Sequence, residues 1–151
     1  MKPENVYNVT KWIVSIAGIV ILGSFAFSKA SRKAIWERAK GVSELSGERT
    51  RRMECAHLDH DQTKNYYDDP NNGLLVTIFE HHAHHLFFEG RAFLIGLSEE
   101  ANEVAIQKTW DRIFEFEKNI SEEEAEMKVQ EAIIRWANYY RVRFVRSCEE
   151  A

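Results

Sequence analysis

Thr77-Ile78-Phe79-Glu80 runs without a break into His81-His82-Ala83-His84-His85, so a helix-starting signal leads straight into four of the six histidines of the chain. A side-chain oxygen followed three residues later by a glutamate is a capping box, and the pattern predicts a helix from about residue 77 to near Gly90. On that helix His81 and His85 are four apart and share one face, where both rings can reach a single metal ion. His82 and His84 turn away from that face and are expected at exposed or peripheral positions. The stretch Asp59 to Asn72 is polar and closes on Asp68-Asp69-Pro70-Asn71-Asn72-Gly73, whose Asn and Gly tolerate the backbone angles of a loop. His57 lies upstream of this loop, at the end of a segment that reads as strand.

The remaining elements follow from composition and spacing. Residues 30–40 have helical composition, with Ala34, Ile35 and the Trp36 ring able to face a core, and Gly41 ends the helix. Val42 to Leu45 and Arg52 to Leu58 read as two short strands joined by the turn Ser46-Gly47-Glu48-Arg49, a hairpin. Ser98 is a plausible N-cap for a helix through Phe116, and Ser121 with Glu124 forms a second capping box. The last helix, to about Arg146, is expected to bury Val129, Ile133, Trp136 and Tyr140. Trp110, Phe114 and Trp136 read as core, not as a base-stacking platform. The order describes a small α+β domain with a helical extension: an N-terminal hydrophobic helix over 1–28, a hairpin-plus-helix unit over 29–96, and a C-terminal helical extension over 97–151.

From Trp12 to Phe27 the chain carries no charge, and Lys11 and Lys29 border the run. As a helix it would extend about 24 Å, slightly short of a hydrocarbon core of ~30 Å. A membrane anchor is one reading. A secreted leader, with Ser28-Lys29-Ala30 as a small-x-small site, and a buried helix of a soluble cytoplasmic protein are the others. If residues 12–27 anchor the chain, the basic cluster from Lys29 to Lys40 leaves the C-terminal domain in the cytoplasm.

With 151 residues and a hydrophobic fraction of 44%, the chain can bury one core. The net charge of −4 excludes a global basic field, but charge is unevenly placed. Basic residues from Lys29 to Arg52 precede the histidines, and glutamates from Glu99 to Glu124 follow them. Cys55 and Cys148 form no C-x-x-C pair and exclude a Cys-only structural zinc. They mildly favour a reducing compartment, and Cys55 reads as a small buried hydrophobe.

Hydrolysis of a phosphodiester needs a base to deprotonate water and a cation to neutralise charge on phosphate and leaving oxygen. A neutral histidine and a divalent ion supply these. His57 at a strand end is the candidate base. Asn72 can hold its ring, or the nearby backbone, in the useful tautomer. His81 and His85 offer nitrogen ligands with positions left open for water and phosphate. Arg49, Arg51 and Arg52 are placed for contacts to a phosphate backbone.

The run from about Ser31 to Gly90 resembles the HNH endonucleases, the ββα-metal or His-Me finger. The matching pieces are Ile35-Trp36-Glu37-Arg38, Gly41 to Gly47, Glu54-Cys55-Ala56-His57-Leu58, Asn72-Gly73-Leu74-Leu75, and His81 with His85. The resemblance implies a DNA endonuclease with His57 as general base, Asn72 as the middle residue of the triad, and His81 as the final histidine and metal ligand. His85 would be a further ligand to one divalent ion, Mg²⁺, Mn²⁺, Ni²⁺ or Zn²⁺. Many relatives carry zinc-binding cysteines where this chain has Ser43 and Ser46, so no structural zinc is expected. Many also carry a metal ligand at the position of Ala56, for which Asp59 or His60 is the available substitute. The alternative is a membrane-anchored structural or interaction subunit built on an inactive finger, and a third option is a metal-binding protein without nuclease activity.

Overall fold

The computed structural model describes residues 26–87 and 99–150. Among these, four helices and one two-stranded antiparallel sheet make a small α+β fold: α1 (Lys29–Ala39), β1 (Met53–His57), β2 (Gly73–Thr77), α2 (Ile78–Phe87), α3 (Glu99–Phe116) and α4 (Glu122–Glu149). Nearly all of the apolar run from Trp12 to Phe27, with its anchor, leader and buried-helix readings, lies outside the described residues. Among the described residues no helix is long and apolar enough to cross a membrane.

The hairpin is not the expected one. β1 pairs with β2 across the long loop, in a register that sets Met53 opposite Thr77 and His57 opposite Gly73. Val42 to Leu45 forms a turn instead. The Ser43 hydroxyl accepts from the backbone amides of Leu45 and Ser46, each at 3.1 Å, which offers the backbone an alternative to a strand ladder. Gly47 completes the turn with φ of +75°, a region open to glycine. The segment keeps a single backbone rung to β2, from Glu44 N to Leu75 O at 2.9 Å.

The side-chain alternation of the strands divides the core in two. Met53, Cys55 and Leu75 face α1, where Phe27, Ile35 and Ala39 close one cluster. Ala56, Val76 and the partly buried Leu58 and Leu74 face the other way. There they join Phe79 and Ala83 of α2, Ile113 of α3, and Val129, Ala132 and Trp136 of α4. Trp110, Phe114, Ile133 and Tyr140 pack against that cluster while partly exposed. Trp36 lies outside both clusters, exposed beside Gly41, because the helix phase that buries Ile35 and Ala39 turns its neighbour outward.

Two polar anchors fix the hairpin. Arg38 on α1 makes a paired contact with Glu44 at 2.6 and 2.8 Å, and donates to the carbonyls of Pro70 and Gly73. The second Glu44 oxygen also accepts from Leu75 N at 2.9 Å. The capping box forms in full: Glu80 N donates to Thr77 Oγ1 at 3.2 Å, and Thr77 N donates to Glu80 Oε2 at 2.8 Å. The same carboxylate oxygen accepts from Ser43 Oγ at 2.6 Å, and Arg135 of α4 stands 3.5 Å from its partner oxygen. A fully buried glutamate thus ties the Ser43 turn, the start of α2 and α4 together.

Candidate functional site

Gly73 decides how the start of β2 meets the chain ahead of α1. A Cβ at this position would stand 2.4 Å from the Phe27 ring, so only glycine leaves room. Phe27 in turn stacks flat on His57, with ring centroids 3.7 Å apart, and Tyr67 stacks on the opposite face at 4.2 Å. His57 is therefore a buried imidazole between two aromatic rings. Its Nε2 has no hydrogen-bond partner among the described residues.

Asn72 does not touch the His57 ring. Of the two options the sequence left open, it takes the backbone. Its Oδ1 accepts from Asp59 N at 3.0 Å, and its Nδ2 donates to the carbonyls of Asp59 at 3.0 Å and Tyr67 at 3.2 Å. Asn72 thus holds the backbone of Tyr67, the residue whose ring stacks on His57. The loop from Leu58 to Asn72 is thereby clamped against the strand end that carries His57.

His81 and His85 come together as helical spacing requires. Their Nε2 atoms are 2.9 Å apart and their ring centroids 4.5 Å. Behind them, His81 Nδ1 meets Glu54 Oε2. Glu54 lies on the face of β1 that looks at α2, and its other oxygen takes Arg112 Nη2 at 3.1 Å and Arg52 Nε at 3.3 Å. Both guanidinium groups also lie over the Phe116 ring. Glu54 was not legible as a site residue. The signal was there: a charged residue inside the short strand Met53 to His57, with its partner on a neighbouring helix.

His60 lies between the two histidine groups, with ring centroids 5.6 Å from His57 and 5.3 Å from His85. His57 itself is on the α1 face of the hairpin, whereas Glu54 and Ala56 look toward α2, and His60 of the loop stands between His57 and the helix pair. Asp59 turns its carboxylate to Tyr66 Oη at 2.5 Å and Asp61 N at 2.9 Å. His82 and His84 are buried, not exposed or peripheral. For His84 the cause is α4: it packs on Trp136 at 4.3 Å and bonds Tyr140 Oη at 2.6 Å. Of the three arginines, Arg49 and Arg51 are exposed, while Arg52 is drawn onto Glu54.

Neither a family model nor a curated protein nor a solved structure matches this chain. The site is therefore read from its own chemistry.

Burial favours the uncharged imidazole at five of these histidines. It pushes His57 and His60 down to about 4, and His82 and His84 down to about 3, with neighbouring imidazoles adding to the effect. His85 is held well below its ordinary value for the same reason. Burial opposes the charge on Glu54, but the His81 hydrogen bond and neighbouring positive charge, Arg112 included, overcome it and hold the carboxylate well below its usual range. Neutral rings keep lone pairs available at neutral pH. The 2.9 Å separation of the two Nε2 atoms is that of a hydrogen bond between the rings, and it is also close to the spacing of two nitrogens on one ion at about 2.0–2.1 Å with a near right angle between them. Among the described residues, no group of three or more His, Cys, Asp or Glu is arranged to hold a metal.

Proposed function

We propose that the chain is a metal-dependent DNA endonuclease of the ββα-metal type, hydrolysing phosphodiester bonds. The observation that carries this reading is the buried Nε2 of His57. The ring is held between Phe27 and Tyr67, and its Nε2 has no hydrogen-bond partner among the described residues. A buried polar atom without a partner costs about 1–3 kcal/mol, and a general base is a place where such a cost is retained. Further support is the order of the elements: His57 closes β1, Asn72 precedes β2, and α2 follows with His81 and His85.

In this reading His57 takes a proton from water, and Asn72 acts through the backbone as a positioning residue. His81 and His85 would hold one divalent ion, which supplies charge neutralisation on phosphate when bound. Arg49 and Arg51 serve as phosphate contacts, and Arg52 serves Glu54 instead. Purified protein with Mg²⁺, Mn²⁺, Ni²⁺ or Zn²⁺ is expected to nick plasmid DNA, and His57→Ala to abolish the nicking. Equal activity in the two proteins removes the proposal.

A second reading is favoured by one observation. Phe27 and Tyr67 cover both faces of His57, as they would in a finger retained for its shape. That protein would be a membrane-anchored structural or interaction subunit. Stable association with a membrane complex, together with no ion bound at His81 and His85, is the result that selects it.

A further inference from the structure

We propose that Glu54 is a positioning residue for the metal site, fixing His81 as a nitrogen donor through its rear nitrogen; this rests on the metal-site reading above. A carboxylate is acceptor-only, so its contact with His81 requires a proton on Nδ1. In the neutral ring that assignment leaves the lone pair on Nε2, where it accepts from His85 Nε2 at 2.9 Å. A carboxylate behind a metal-binding imidazole fixes both tautomer and ring orientation and raises ligand basicity.

The carboxylate is itself fixed. Glu54 is 8% exposed and sits on a strand rather than a loop. Its Oε1 is occupied by Arg112 and Arg52, which leaves Oε2 for the imidazole. Arg112 comes from α3, so the C-terminal extension contributes to the site through Glu54. Glu80, the other buried carboxylate of this region, spends its oxygens on a hydroxyl, a backbone amide and Arg135. Among these two, Glu54 is the one that reaches an imidazole.

The test is calorimetric titration of the full chain with Zn²⁺ alone, in wild type and Glu54→Gln. Gln keeps the shape but can present a donor to Nδ1. The expected result is binding weakened by about 10–100-fold in the variant, with circular dichroism unchanged. Equal affinity overturns the inference and leaves the nuclease reading standing. Wild type that binds no ion overturns the metal site itself, and the inference with it. Should the variant fail to fold, ¹⁵N spectra of the wild-type imidazoles decide the matter at about pH 8, above the ordinary histidine range. His81 is expected protonated at Nδ1 with Nε2 bare. The reverse tautomer overturns the proposal.

Discussion

Glu80 and Glu54 are both buried carboxylates beside α2, and they do opposite kinds of work. Glu80 is fully buried and ends on Ser43 Oγ, Thr77 N and Arg135, donors that join three segments of chain. Glu54 ends on the imidazole of His81, whose far nitrogen meets a second imidazole. The first arrangement locks a fold, and the second, in the proposed metal site, would set the aim of a ligand. Burial alone does not separate these roles. What lies beyond the first hydrogen bond does.

The largest expected effect falls on the structural carboxylate. Glu80→Ala strands the Ser43 hydroxyl, the Thr77 amide and Arg135 together, and is expected to cost about 3 kcal/mol or more in urea unfolding. A cost below about 1 kcal/mol would show that Glu80 is not the tie described here. Glu54→Gln is expected to act chiefly on metal affinity, so similar stability losses in the two variants would erase the distinction between them.

Gly73→Ala tests the other half of the site. Its Cβ has no room beside Phe27, so the ring must leave its place on His57, at about 1–3 kcal/mol of overpacking. Loss of near-ultraviolet dichroism from the aromatic sandwich, with the rest of the fold retained, is the expected signature. Unchanged dichroism would place the Phe27 contact outside what holds His57.

Acid should unfold the protein through its histidines. His57, His60, His82 and His84 titrate at about 3 to 4 when folded, below the ordinary value near 6.5 in the unfolded chain. Between these limits the unfolded chain binds more protons. Stability is therefore complete above about pH 6.5 and falls as the pH drops toward 4, by up to about 1.4 kcal/mol per pH unit for each group. Urea midpoints that stay flat from about pH 7 to 5 would contradict the neutral cluster.

The smallest effect separates two neighbouring arginines. Arg52→Ala removes one of the two cations on Glu54 and is expected to cost under about 1 kcal/mol. Arg51→Ala, on an exposed residue, should stay within about 0.5 kcal/mol. The reverse order would show that Arg52 does not support Glu54.

The helices were legible because their signals are local. Thr77 with Glu80 and Ser121 ahead of Glu124 mark helix starts within four residues, and the 81–85 spacing put two rings on one face. The strand partner was not legible. Val42 to Leu45 looks like a strand until the Ser43 hydroxyl claims two backbone amides, and the true partner lies across a loop whose closure local pattern does not encode. The same limit applies to His84, whose burial depends on Trp136 and Tyr140 more than fifty positions away, and to Glu54, whose partners come from two other helices. Asn72 was read as a clamp on ring or backbone, and the structure supplies the backbone.

The central claim is that His81 and His85 share one ion. Titration of the wild-type chain with Zn²⁺, beside the double variant His81→Ala and His85→Ala, tests it most directly. The account expects one ion per wild-type chain and none at that site in the variant. A wild-type chain that binds no ion, or a variant that binds as wild type does, would contradict it.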